Sequence, residues 1–147
     1  MARNPTAANP SDAELIALAR QAQQRAYAPY SNFRVGAALL AKDGRAFVGC
    51  NVENAALGAT NCAERTALYA AVCGGAREFA KLVVVTDDPD PVMPCGVCRQ
   101  VLFEFSPQLE VIGVGMTGET KRATLRALLP EGFRLKKSPK NEPTGKR

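Results

Sequence analysis

The sequence predicts an α/β fold in which helices cover both faces of one β-sheet. Three observations support this prediction. A hairpin pattern surrounds Asp43-Gly44. After the hairpin, helical and strand patterns alternate along the chain. The two later strand patterns, at 81–87 and 109–116, are short and largely apolar, as expected of strands that are covered on both faces.

The first elements have clear local signals. Residues 11–26 show apolar residues at helical spacing, and Ser11 followed three residues later by Glu14 is typical of a capping box at a helix start. Residues 33–41 and 45–53 flank the turn and predict the two antiparallel strands of the hairpin.

The later part of the chain predicts three more helices around the two apolar strands. These helices cover 61–72, 95–105 and 124–130. Pro94 stands just before the second of them, and proline suits a helix start because the first turn needs no backbone donor there. We therefore expect helices on both sides of the sheet.

Size and composition indicate one ordinary globular domain. The 147 residues are 46% hydrophobic and 22% charged, which allows a substantial core. Even the longer apolar runs, such as Val35 to Ala41, are far shorter than the ~20 residues that a membrane span needs. Residues 1–14 lack the apolar centre of a secretory signal. We expect a cytoplasmic protein without membrane contact.

The positive charge is concentrated at the C-terminus. Residues 134–147 contain six of the 19 Lys and Arg and one of the 14 Asp and Glu, so residues 1–133 are neutral. We expect a folded domain over 1–133 and a basic, disordered tail over 134–147. Contact of the tail with nucleic acid or a membrane is the alternative.

The cysteines allow several interpretations. An odd number, five, with uneven spacing argues against a disulfide framework. Cys95 and Cys98 are three residues apart on one predicted helix and share a face. Such a pair can be a redox couple, part of a metal site, or two buried core residues.

A third cysteine and a glutamate favour the metal site. Cys62 stands at the start of another predicted helix, and helix N-termini favour thiolates. The chain has no histidine, and three protein ligands leave a position open for water, as in catalytic zinc sites. Glu64 could then serve as a general base. Its spacing from Asn61 also fits a simple helix cap.

A family resemblance makes this interpretation specific. "CAE" at 62–64, followed after 29 residues by "PCGVC", resembles the signature of zinc nucleoside and nucleobase deaminases. Five blocks resemble the small homotetrameric cytidine deaminases, in the same order, over roughly 12–133. These blocks are 26–39, 49–56, 61–68, 94–100 and 128–133.

The resemblance implies a three-layer α/β/α fold with a mixed five-stranded sheet. It implies one zinc ion per chain, held by Cys62, Cys95 and Cys98. It also implies hydrolytic deamination of cytidine and 2′-deoxycytidine in pyrimidine salvage. In that reaction zinc delivers hydroxide to C4 of the base and Glu64 shuttles the protons.

The resemblance further implies roles around the ligands. Arg65 would hydrogen-bond to the ligand sulfurs and offset their charge, although a surface arginine is the alternative. Asn51 and Glu53 would bind the sugar hydroxyls, or would simply end a strand. Phe33 would lie against the base, or would pack in the core. The backbone N–H of Ala63 is a further substrate contact.

The resemblance implies a homotetramer with composite active sites. Phe133 would reach the site of a neighbouring subunit, although core packing is equally consistent with the sequence. Cys50 and Cys73 match no ligand position, and we expect both in the core.

Three other functions compete with cytidine deamination. A polynucleotide deaminase needs a basic, aromatic groove, whereas the body of this chain is neutral and the chain is only 6% aromatic. A zinc-stabilised structural module would favour a closed site with four protein ligands, and Glu64 would then have no role. An aminonucleoside-antibiotic deaminase shares the zinc motif, but residues 51–56 favour a plain ribose.

Overall fold

The computed structural model describes residues 9–137, which contain five strands and four α-helices. In chain order the elements are α1 Asp12–Gln23, β1 Val35–Ala41, β2 Ala46–Cys50, a 3-10 helix Leu57–Ala59, α2 Ala63–Cys73, β3 Phe79–Thr86, α3 Gly96–Phe103, β4 Glu110–Val114, β5 Thr120–Thr124 and α4 Leu125–Leu128.

Helix α1 begins where the sequence predicts. Glu14 N donates to Ser11 Oγ at 3.2 Å, and Ser11 N donates back to Glu14 Oε2 at 2.8 Å, so the capping box is present. Leu15 and Ala19 lie on the face toward the sheet and are fully buried. The helix ends at Gln23, one turn earlier than predicted.

The predicted hairpin is confirmed. Strands β1 and β2 pair in antiparallel register, with Leu40 opposite Ala46. Gly44 has φ +90°, a conformation that residues with a Cβ rarely adopt, which explains the glycine in this turn.

The five strands form one mixed sheet in the order β2-β1-β3-β4-β5, with β3 and β4 parallel and the other pairs antiparallel. Alternate residues of β3 face opposite sides. Val83 packs with Leu15 of α1, and Val84 packs on the other side with Leu68 of α2 and Leu102 of α3. The predicted three-layer arrangement is confirmed.

Strand β5 has no signal in the sequence. Four of its five residues are exposed, and within residues 9–137 it pairs on one side only, with β4. A polar edge strand lacks the apolar alternation by which strands are predicted. Thr124 ends this strand and also caps α4, since Ala127 N donates to Thr124 Oγ1 at 3.2 Å.

The division into a domain and a tail stays a prediction. Residues 134–137 are exposed, and Arg134 donates to the carbonyl oxygen of Glu104 at 3.2 Å. The rest of the predicted tail, 138–147, lies outside the described residues. Within 9–137, no helix combines the length and the apolar character required to cross a membrane.

Candidate active site

Helices α2 and α3 both begin at a cysteine. Cys62 and Cys95 occupy the cap positions with extended backbone, and neither side chain bonds to its own helix. The first N–H groups of both helices therefore favour negative charge nearby. The alternative cap by Asn61 and Glu64 does not form, because Cys62, not Asn61, occupies the cap position of α2. Asn61 Nδ2 instead donates to Thr66 Oγ1 at 3.0 Å.

The two helix starts bring three thiols together. The sulfurs of Cys62, Cys95 and Cys98 lie within 4.8 Å of one another, and those of Cys62 and Cys95 are 4.0 Å apart. A tetrahedral ion with metal–sulfur bonds of about 2.3 Å holds its sulfurs ~3.8 Å apart. Cys98 is buried and Cys95 is exposed, so the cluster is open on one side. This donor set fits a soft divalent ion such as Zn²⁺.

Arg65 brings positive charge to this cluster. Its Nη2 lies 3.3 Å from the sulfur of Cys62 and 3.5 Å from the carbonyl oxygen of Thr60. Hydrogen bonds from the Cys98 thiol and from Arg65 hold the pKa of Cys62 well below its ordinary value. The same bond to Cys62, together with burial, raises the pKa of Cys98. A bound cation would oppose this effect on Cys98, because metal ligation favours the thiolate form.

Glu64 is a buried carboxyl group beside the cluster. It lies in the first turn of α2, with 5% of its surface exposed. Burial raises the pKa of Glu64 to about 7, and the charge of Cys62 adds to the effect. A carboxyl group that titrates near neutral pH can accept a proton in one step and release it in the next.

A cavity of about 280 Å³ adjoins the cluster at the carboxyl end of β3. Its size suits a small molecule. The sequence-predicted residues that line it are Phe33, Asn51, Glu53, Cys62, Ala63, Glu64 and Cys95. Thr86 and Met93 also line it and were not predicted. The sequence offered one signal for Thr86, which is the polar residue that ends the apolar run of β3.

Asn51 and Phe33 form one wall of this cavity. Asn51 is buried, and its amide donates to the carbonyl oxygen of Phe33 at 2.8 Å and accepts from Val35 N at 2.9 Å. Phe33 is half-buried and lines the cavity, so it is not a plain core residue. Asn51 therefore also shapes the wall that carries Phe33.

Glu53 lies on the same wall beyond the end of β2. Its Oε1 accepts hydrogen bonds from Tyr30 N at 2.9 Å and from Ser31 N at 3.1 Å. Hydrogen bonds from Ser31 and Tyr30 lower the pKa of Glu53. The carboxylate is thus ionised and holds the loop before β1.

Phe133 does not join the cavity of its own chain. Its side chain is 66% exposed, and its carbonyl oxygen accepts from Gln100 Nε2 at 3.0 Å. The core alternative for this residue is therefore wrong.

The prediction for the two remaining cysteines needs correction. Cys73, the last residue of α2, is exposed because the helix has passed the edge of the core there. Cys50 is half-buried at the end of β2. It lines a separate groove of about 400 Å³ between α1, β2 and α2, together with Arg25 and Thr66. None of the three clustered cysteines lines that groove.

Comparison with known proteins identifies relatives of this chain. Residues 9–114 match the model of the "Cytidine and deoxycytidylate deaminase zinc-binding region". A protein of Sporosarcina psychrophila named "Cytidine deaminase" is 50% identical over 121 residues, which cover 82% of this chain and 89% of that protein.

Solved structures show the same fold. The crystal structure of cytidine deaminase from Burkholderia pseudomallei has a TM-score of 0.82 and 49% identity, covering 84% of this chain and 100% of that one. The structure of cytidine deaminase from Mycobacterium tuberculosis has a TM-score of 0.75 and 40% identity, covering 86% and 100%.

Proposed function

The chain belongs to the cytidine and deoxycytidylate deaminase family, and from that premise we propose its reaction in detail. It hydrolyses cytidine and 2′-deoxycytidine to uridine and 2′-deoxyuridine, with one molecule of water consumed and one of ammonia released. The observation that carries the proposal is the placement of the buried Glu64 beside three converging thiols, at the wall of a cavity of nucleoside size.

Cys62, Cys95 and Cys98 would hold one Zn²⁺ per chain. Three cysteines with sulfurs within 4.8 Å and one open side leave a fourth position toward the cavity. When bound, zinc supplies Lewis acidity and lowers the pKa of water. Arg65 offsets part of the negative charge of three thiolates through its contact with Cys62.

Glu64 carries the protons of the reaction. Its carboxylate takes a proton from the attacking water and gives it to N3 of the pyrimidine. It then assists the departure of ammonia from C4. Burial suits this role because it brings the pKa of Glu64 to about 7, where accepting and releasing a proton cost similar free energy.

The cavity wall would bind the nucleoside. Phe33 offers an aromatic face to the base, and Glu53 offers an ionised acceptor to the sugar hydroxyls. Asn51 retains one amide hydrogen and one lone pair beyond its two backbone bonds. Ala63 lies in the first turn of α2, where its backbone N–H has no partner within the helix and can donate to the base.

We further propose a homotetramer in which each site receives a residue from a neighbouring subunit. Phe133 is 66% exposed, so its ring is accessible to a second copy of the chain. The side chain of Leu57, 74% exposed, adds apolar surface beside the loop that carries Glu53. Sedimentation at working concentration tests this assembly, and an active monomer would contradict it.

A cytoplasmic location and a role in pyrimidine salvage both fit the chemistry of the site. All five cysteines are free, which is typical of proteins in a reducing compartment. Nucleic acid is not the expected substrate, because residues 1–133 carry no net charge, whereas a polynucleotide needs a basic groove.

The decisive experiment follows cytidine by ultraviolet absorbance, before chelation, after chelation and after return of zinc. We expect activity that is lost and then restored with the metal. Cys62→Ser should lose both zinc and activity, whereas Cys73→Ser, the exposed cysteine outside the cluster, should keep both. Deamination of a single-stranded oligonucleotide, but not of cytidine, would instead support a polynucleotide deaminase.

A further inference from the structure

The wall that carries Phe33 is held by side chains from distant parts of the chain. Residues 33–35 lead from a loop into β1 and lie at the start of that strand. Phe33 N donates to Ser31 Oγ at 3.0 Å. Asn51 holds both the carbonyl oxygen of Phe33 and the N–H of Val35. The position of the aromatic ring therefore depends on side-chain contacts as well as on pairing within the sheet.

Arg34, between these two residues, has both of its backbone polar groups held in the same way. Arg34 N donates to Asp87 Oδ2 at 3.3 Å, and the carbonyl oxygen of Arg34 accepts from Gln23 Nε2 at 3.0 Å. Gln23 Nε2 also donates to Asp87 Oδ1 at 3.1 Å. The three residues form a closed triangle of hydrogen bonds, which we call the Arg34 clamp.

The clamp is anchored on α1. Gln23 is the last residue of that helix and is 7% exposed. Arg20 orients it by donating to Gln23 Oε1 at 3.3 Å, and Arg20 also donates to the carbonyl oxygens of Thr86 and Gly115. A Cβ at Gly36 would lie 2.0 Å from the carbonyl oxygen of Ala19, so α1 packs directly against the start of β1.

We propose that Asp87 and Gln23 are positioning residues for nucleoside binding. Neither lines the cavity, but together they fix the backbone of Arg34, next to Phe33, and so keep the base-facing wall formed before substrate arrives. The clamp does not touch Glu64 or the cysteines. Its loss should therefore raise KM for cytidine and leave the chemical step nearly unchanged. This inference rests on the proposed function.

The first test is Asp87→Ala, assayed with cytidine. We expect KM to rise about tenfold, equivalent to ~1.4 kcal/mol of binding, with kcat within about threefold and zinc content unchanged. Asp88→Ala is the matched control, because Asp88 Oδ1 accepts from Asp90 N within its own loop and makes no bond to Arg34 or Gln23. Asp87→Asn keeps an acceptor for Arg34 N but places an amide donor opposite Gln23 Nε2 and loses the ion pair with Arg34, so it should restore only part of the affinity.

The second test is Gln23→Met, which keeps the side-chain volume and removes the amide. Gln21→Met, on the exposed side of the same helix, is its control. The double variant with Asp87→Ala should raise KM by less than the product of the two single effects, because both residues hold the backbone of Arg34 and hydrogen-bond to each other. If the KM of the double variant rises by the full product of the two single effects, the proposal would be overturned. A fall in kcat with unchanged KM would overturn it as well.

Amide hydrogen exchange tests the clamp without activity. Peptides that cover 33–35 should exchange about tenfold faster in Asp87→Ala than in Asp88→Ala, while peptides of α2 exchange at the wild-type rate. Equal exchange in the two variants would overturn the clamp. A wild-type protein that does not deaminate cytidine would overturn the proposed function instead, and the exchange measurement would still decide whether the clamp holds this wall.

Discussion

The two sides of the cavity are built in different ways. Cys62, Glu64 and Cys95 stand at or beside the first residues of two helices, whose packed faces fix their positions. Phe33 and Glu53 stand on loops that are held by hydrogen bonds between side chains and backbone. We propose that the helix side performs the chemistry and that the loop side binds the nucleoside.

This difference explains which substitutions should affect which step. A buried helix start is rigid before substrate binds, so a change there alters the reacting groups themselves. A wall held by single hydrogen bonds can shift without unfolding the domain. Substitutions on the helix side should therefore lower kcat, and those on the loop side should raise KM.

The largest effect is expected for Glu64→Gln. The substitution keeps the size of the side chain but cannot accept the proton of water. We expect kcat to fall by about 10²–10⁴-fold with zinc retained. Glu78→Gln is a matched control, since Glu78 is exposed, pairs with Lys42 at 3.8 Å and does not line the cavity. Loss of zinc from Glu64→Gln would show that Glu64 acts as a ligand or as a structural group.

A smaller effect is expected for Arg65→Met, which keeps the apolar stem and removes the charge from Cys62. Residues that contact metal ligands typically contribute about 10–100-fold to metal affinity or activity. We expect weaker zinc binding, measured by competition with a chelator, together with a lower kcat. Unchanged zinc affinity would mean that Arg65 is a surface arginine without a role at the metal site.

Asn51→Ala should affect the loop side instead. It removes the hydrogen bonds to Phe33 and Val35, so we expect KM to rise about tenfold and the free energy of unfolding to fall by about 1–3 kcal/mol. Asn54→Ala, in the same loop but outside the cavity, is the control. A fall in kcat at constant KM would contradict the claim that the loop side of the cavity acts in binding and the helix side in the chemical step.

The helix side of the site could be predicted from the sequence, because its signals are local. Cysteines at helix starts and a glutamate two residues after Cys62 can be found within a few residues of sequence. The contacts of Asn51 with Phe33 and of Gln23 with Asp87 join residues that are far apart in the chain. No local pattern marks such contacts, and sequence reasoning did not find them.

The fold shows the same limit. The apolar strands and the capped helix α1 were predicted from periodicity. Strand β5 was missed because its residues Lys121 and Arg122 are exposed and polar. Cys73 was placed in the core because cysteine is usually buried, although α2 had already reached its exposed end.

The smallest expected effect lies away from the site. Hydrogen bonds from Lys81 and Arg122 hold the pKa of Asp12 below its ordinary value. A lowered pKa in the folded state adds stability above the unfolded pKa, and this stability is lost as pH falls through the folded pKa. At pH 6, the free energy of unfolding of wild type should be higher than that of Asp12→Asn by under about 1 kcal/mol, measured by urea unfolding. The difference should shrink below about pH 4.

The most direct test of the account is X-ray absorption at the zinc edge of the purified protein. Cys62, Cys95 and Cys98 predict three sulfur ligands at about 2.3 Å and one lighter ligand, oxygen or nitrogen. The Cys73→Ser variant should give the same spectrum, since Cys73 is outside the cluster. A fourth sulfur would mean a closed structural site, and the absence of sulfur ligands would mean that the cluster holds no metal. Either result would contradict the account.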